Sequence, residues 1–123
     1  MFRTSMMLKT VLLTLSLLSL SGLARAEEIL DVELDVVSAH DTESYTMTLD
    51  AGVSYSIVVV GDHSTDLDFY LEDENGNVVA KDTDLTDVCA LRVRPRWTGS
   101  FRLRIRNLGD EANLVRIALV KRD

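Results

Sequence analysis

The chain has 123 residues, 20 of them Asp or Glu against 13 Lys or Arg, for a formal net charge of −7. That acidity excludes nucleic acid as a natural partner, because the chain as a whole repels phosphates. The length allows one domain with one modest core, and the single cysteine, Cys89, excludes an internal disulfide.

Residues 1–26 read as an export signal rather than as part of the fold. Arg3 and Lys9 give a positive start, VLLTLSLLSL (11–20) is an apolar core, and Ala24-Arg25-Ala26 is a small-x-small cleavage site. The apolar stretch is short of the about 20 residues a membrane span needs, and no cysteine follows it to take a lipid anchor. Cleavage after Ala26 leaves residues 27–123 as one domain, periplasmic or secreted. It removes Arg3, Lys9 and Arg25 but no acid, so ten cations then face twenty acids.

From there two-residue alternation dominates. LDVELDV (30–36) places Leu30, Val32, Leu34 and Val36 on one face and Asp31, Glu33 and Asp35 on the other. YTMTL (45–49) repeats the pattern, and SYSIVVV (54–60) ends in an apolar run suited to a central strand covered on both sides. DLDFYLE (66–72) sets Leu67, Phe69 and Leu71 against Asp66, Asp68, Tyr70 and Glu72. NVVAK (77–81), VCALRV (88–93), FRLRIR (101–106) and LVRIALV (114–120) complete eight short strands. Asp50-Ala51-Gly52, Asn75-Gly76 and Asn107-Leu108-Gly109-Asp110 punctuate them; Asn-Gly predicts a tight hairpin with positive φ at both central positions. No stretch has helical periodicity. The expectation is an all-β antiparallel sandwich of the jelly-roll type.

The order of these motifs is that of a known family. YTMTLDAGVSYSIVVVGD, then DLDFYLEDENGNVV, then RPRWTGSFRLRIRN, resembles the bacterial pre-peptidase C-terminal domain over about residues 44 to 120. The resemblance implies a jelly-roll-like sandwich without catalysis. Such domains usually trail a secreted peptidase, and some relatives bind calcium, collagen or other polymers. No peptidase precedes the domain here, so a free-standing exported module is implied.

Catalytic chemistry finds little support in the residues. His63-Ser64 with Asp62 or Asp66 nearby has the residue types of a Ser-His-Asp constellation, but neighbours on one loop rarely supply its geometry. Cys89 alternates with Leu91 and Val93, which makes it a buried thiol with nothing to lower its pKa. Asp82, Asp84 and Asp87, with Asp66 and Asp68, have the oxygen character calcium wants. DENGN (73–77), however, has its glycine in the fourth position, not the sixth of an EF-hand loop, so no metal ligand and no cofactor is assigned.

The arginines are the anomaly. Arg92, Arg94 and Arg96, then Arg102, Arg104 and Arg106, stand at alternate positions, and two like charges about 6.6 Å apart on one strand face repel by roughly 0.6 kcal/mol even in water. A hairpin joining the two runs would stack them into one cationic patch that demands an anionic ligand. A crossing between sheets at PRWTGS, favoured by Pro95, puts them on opposite outer faces. Asp66, Asp68 and Glu72 then answer Arg102, Arg104 and Arg106, and Asp31, Glu33 and Asp35 answer Arg92, Arg94 and Arg96. Phe101 occupies the corner place where immunoglobulin-like sandwiches have Tyr, so that corner's hydrogen bond must be absent or replaced. Trp97 beside the arginines either anchors a ligand or packs over the sandwich end. The leading expectation is a non-catalytic binding or accessory module whose arginine faces and Trp97 meet a protein or anionic polymer. A self-associating structural protein, a calcium-binding module and a hydrolytic enzyme are the alternatives.

Overall fold

The structure is a computed structural model that describes residues 27–122; the expected export signal lies outside the described residues. Eight strands are present where the alternation places them: β1 (Glu28–Val37), β2 (Thr42–Leu49), β3 (Ser54–Val60), β4 (Leu67–Glu72), β5 (Val78–Asp82), β6 (Val88–Val93), β7 (Gly99–Asn107) and β8 (Asn113–Arg122). They form two antiparallel four-stranded sheets, ordered β1-β8-β3-β6 and β2-β7-β4-β5. Only the β4–β5 connection stays within one sheet. Every other connection carries the chain across the sandwich, so hydrogen-bonded neighbours are mostly distant in sequence. No helix among the described residues is long and apolar enough to cross a membrane.

One parity of each strand fills the space between the sheets. Leu67, Phe69, Leu71, Leu103 and Ile105 from one sheet meet Ile57, Val59, Val115, Ile117 and Leu119 from the other, all fully buried. Burial of each such side chain is worth roughly 1.5–3 kcal/mol relative to exposure, which makes this core the main support of the fold.

The Asn75-Gly76 turn forms, with a different geometry from the one expected. Only Gly76 has positive φ, at 86°, and the Gly76 amide donates to the Asp73 carbonyl at 3.0 Å. Asp73 replaces the second left-handed residue: its carboxylate accepts from the amides of Asn75 and Asn77, each at 2.9 Å. The extra turn residue is absorbed as a register shift between Leu71 and Glu72.

β1 inverts its expected faces. Glu33 and Asp35 point into the sandwich, while Leu34 and Val36 point out. A register shift between Ile29 and Asp31 separates the frayed start of the strand from this frame. The frame itself is set by Val37, fully buried opposite Asn113, and by Asp35, whose carboxylate accepts the Tyr45 hydroxyl at 2.7 Å. That charge-assisted bond offsets the desolvation of a buried carboxylate. The β3 apolar run also differs in part. Its inner face is covered, but Val60 on the outer face remains exposed.

Tyr45→Phe keeps the ring and removes the donor to Asp35. We expect it to lower unfolding free energy by about 1.5–3 kcal/mol, the range for a hydrogen bond to a charged group, measured by denaturant titration.

Candidate binding site

The crossing between sheets is realised. β6 is an edge strand of one sheet and β7 an inner strand of the other, so residues 94–98 span the end of the sandwich. Pro95 is buried in this span and its carbonyl accepts the Gly52 amide at 2.8 Å. Thr98 Oγ1 accepts the Ala51 amide at 2.9 Å. The corner hydrogen bond that Phe101 cannot make is replaced by a different tyrosine: Tyr55 Oη accepts the Asp50 amide at 2.8 Å. The β2–β3 turn is thereby fastened to its neighbours.

The two arginine runs then meet different fates. On β7, Glu72 lies opposite Arg102 and takes both nearby guanidinium groups, Arg104 Nε at 2.8 Å and Arg102 Nε at 3.5 Å. Arg104 also covers the Tyr70 ring, 5.0 Å from its centroid. Arg106 stands opposite Asp68 and Thr42 at the far end of the strand. Of the acids expected here, Glu72 forms the ion pairs, Asp68 is a cross-strand neighbour, and Asp66 lies in the loop before β4.

On the other sheet the expected pairing is absent. β1 occupies the edge opposite β6, and its carboxylates take the inward parity, so Asp31, Glu33 and Asp35 do not answer Arg92, Arg94 and Arg96. Among the described residues those three arginines make no salt bridge. They line a cavity of about 500 Å³ with Val79, Val93, Pro95, Trp97 and Phe101. The cavity opens where the β5 and β6 edges come together. Trp97 is 42% exposed and stacks on buried Phe101, centroids 6.4 Å apart with 26° between planes. It is thus half packing element and half open platform.

A second recess of about 320 Å³ adjoins the first, sharing Arg92, Val93 and Arg94 and adding Ser54, Tyr55 and Arg122. Arg122 joins because β8 runs beside β3, which places it opposite Ser54; its Nη1 is 3.7 Å from Glu27. The result is a basic strip on an acidic protein, backed by apolar and aromatic side chains. Val79 and Arg122 carry no signal in the linear sequence and enter only through strand order.

The acidic loops at the opposite end are held by backbone amides. Asp62 accepts the Leu114 amide at 3.0 Å and the Ser64 hydroxyl at 2.6 Å, and the Ser64 contact first, then Leu114, lowers its pKa. The Ser64 hydroxyl is therefore committed to Asp62, while His63 Nδ1 faces Asp87 at 3.3 Å, so these residues do not form a nucleophile–base pair. Asp84 is lowered by the Thr86 amide and hydroxyl; at the Trp97 end, Asp73 of the β4–β5 turn is lowered by the Asn77 amide foremost. Asp66 goes the other way. Burial, then the charges of Asp68, Asp84 and Asp87, raise its pKa, and its Oδ1 is buried without a hydrogen bond. Cys89 is buried among apolar neighbours, and burial pushes its thiol up to about 12.

No family model and no curated protein sequence matches the chain. Solved structures do match in fold. The pre-peptidase C-terminal domain of a collagenase from Bacillus anthracis superposes with a TM-score of 0.57 at 14% identity, covering 72% of this chain and 86% of that one. PliG from Aeromonas hydrophila, a periplasmic lysozyme inhibitor of g-type lysozyme, superposes with a TM-score of 0.53 at 15% identity, covering 80% of this chain and 87% of that one. The sandwich therefore shares the fold of a pre-peptidase C-terminal domain, the fold that the motif order implied.

The raised pKa of Asp66 has a definite sign. The folded chain holds this proton more tightly than the unfolded chain, so ionisation opposes folding. The penalty is complete above the folded pKa and vanishes below the unfolded value of about 3.9. Asp66→Asn is expected to raise the melting temperature at pH 7 and to leave it unchanged near pH 2.5, read by thermal denaturation at both values.

Proposed function

We propose that the protein is an exported, non-catalytic binding module that takes a carboxylate-, phosphate- or sulfate-bearing segment of a protein or polymer along Arg92, Arg94 and Arg96, with Trp97 as the apolar anchor. One contrast carries the reading. Arg102 and Arg104 are paired with Glu72, and Arg104 also covers a tyrosine ring, whereas Arg92, Arg94 and Arg96 around the cavity make no salt bridge among the described residues. Like charges held at strand spacing are tolerated at modest cost in water, and an anion that relieves them gains that repulsion back as binding energy. The planar guanidinium fork grips such anions at two points. An aromatic beside arginines is the side-chain composition in which binding hot spots concentrate.

Three further observations support this reading. The Ser64 hydroxyl bonds Asp62 rather than His63, so this pair offers no nucleophile–base arrangement. The expected export signal accords with a domain that works outside the cytoplasm. Of the two similar folds, one is the pre-peptidase C-terminal domain of a collagenase and the other an inhibitor of g-type lysozyme, so a sandwich of this kind serves in the second as a module directed at a protein. On this reading Arg102 and Arg104 fix strand register, and Arg106 lies outside the site.

The test uses immobilised heparin and immobilised poly-glutamate as anionic probes, which separate sulfate from carboxylate recognition. Combined Arg94→Ala, Arg96→Ala and Trp97→Ala substitution is expected to weaken binding at least about tenfold, the loss of one strong or several moderate anchors. Arg106→Ala leaves retention unchanged. Arg94→Lys with Arg96→Lys keeps the charge but loses part of the affinity through the missing fork. Unaltered retention of the triple variant on both matrices overturns the proposal.

A further inference from the structure

β6 is the last strand of its sheet, hydrogen-bonded to β3 on one side only. Which of its backbone groups face outward follows from one turn contact. The Gly61 amide donates to the Asp87 carbonyl at 2.9 Å, and these two residues continue the β3–β6 register by one step. In an antiparallel pair, opposed residues that exchange such bonds alternate with opposed residues that do not. Cys89, Leu91 and Val93 therefore turn their amides and carbonyls to β3, and Val88, Ala90 and Arg92 turn theirs away from it. At Val88 the chain supplies its own partner: Thr86 Oγ1 accepts the amide at 3.4 Å and lies 3.2 Å from the carbonyl. Among the described residues nothing does this for Ala90 and Arg92. An uncovered row of this kind is a template for another strand.

The space beside this edge is already shaped. The larger cavity touches Arg92, Val93 and Arg94, three successive residues whose side chains alternate between faces, so it lies along the edge of the strand and not over one face. Arg92 and Arg94 are exposed, whereas Val93 packs against the core, with Val79, Trp97 and Phe101 also lining the cavity. Of the acids at this end, Glu27 faces Arg122, Asp73 accepts turn amides and Glu74 accepts the Ser100 amide at 3.2 Å. None of them pairs with Arg92 or Arg94.

Resting on the ligand reading of this strip, we propose that its occupant is an extended acidic peptide segment that adds to the β6 edge as a fifth strand. The segment carries carboxylates at two alternate positions with an apolar residue between them. Strand addition takes affinity from main-chain bonds and specificity from alternate side chains. The amides and carbonyls of the segment meet those of Ala90 and Arg92. Its side chains opposite Arg92 and Arg94 share their outer face, where each carboxylate meets a guanidinium fork. The residue between them turns inward, to Val79, Val93 and Trp97. An anionic polysaccharide carries the charges but lacks the repeating row of N–H and C=O, so the edge discriminates between these two kinds of partner. A second copy pairing over residues 90–94 is disfavoured, because it sets Arg92 against Arg92.

The probe is the capped peptide Thr-Glu-Val-Glu-Thr, with Thr-Glu-Glu-Val-Thr as a control of equal charge. Binding is read by the fluorescence of Trp97, the chain's one tryptophan. The first peptide is expected to bind about threefold or more tightly than the second. Methyl groups on both glutamate amides remove donors aimed at β6 and are expected to weaken binding about tenfold, whereas one on the valine amide, which points away, changes little. In amide hydrogen exchange the bound peptide is expected to slow Ala90 and Arg92, while Leu91 and Val93 are protected by β3 beforehand. Ala90→Pro removes an outward donor without touching the β3 ladder and is expected to lose about tenfold in binding with the melting temperature retained. The peptide variants test the same bonds independently of how that substitution folds. Binding that falls with Arg92→Ala and Arg94→Ala but ignores carboxylate order and methylation overturns strand addition and leaves the anion strip standing. So does binding of heparin with none of the peptide up to about 1 mM. Binding indifferent to the arginine substitutions overturns both readings.

Discussion

Every strand of a two-sheet sandwich must give one of its two parities to the interior, and the rest of this structure follows from how each strand makes that choice. For β4 and β7 the choice is forced, because one parity is apolar and the other charged. For β1 both parities mix: Glu33, Asp35 and Val37 on one side, Val32, Leu34 and Val36 on the other. The strand buries the acidic parity, at a desolvation cost that the Tyr45 hydroxyl offsets at Asp35. What is gained is an outer surface of leucine and valine.

The crossing at residues 94–98 does comparable work for the arginines. Had the two runs paired, all six would have repelled one another across a hairpin. Divided between sheets, one run is consumed in holding β4 to β7 through Glu72, and the other is left beside an aromatic platform. The same residue type at the same spacing thus serves register in one sheet and makes no salt bridge among the described residues in the other. Position in the strand order, not local sequence, decides between them.

Much of the architecture could be read from the chain because period-two alternation and turn residues are local signals. Leu67, Phe69, Leu103 and Ile105 are buried as their alternation requires, and the eight strands and the sheet crossing follow from similar evidence. What escaped reading depends on partners distant in sequence. The frame of β1 rests on Asn113 and Tyr45, and Val36-Val37 offers an apolar residue to either frame. Arg122 reaches the basic strip only because β8 lies between β1 and β3. The Asn-Gly turn was legible as a turn, but its geometry was not, since Asp73 and its side-chain bonds took over one of the two strained positions.

Pairing of the first strand with the last has a temporal meaning. Glu28 lies opposite Lys121, so the β1-β8-β3-β6 sheet cannot close until nearly the whole chain is free to fold. Non-local topology of this kind folds slowly. Cys89 sits on β6, at the far edge of that sheet, so the strand made last completes the sheet whose inner face holds the chain's one thiol.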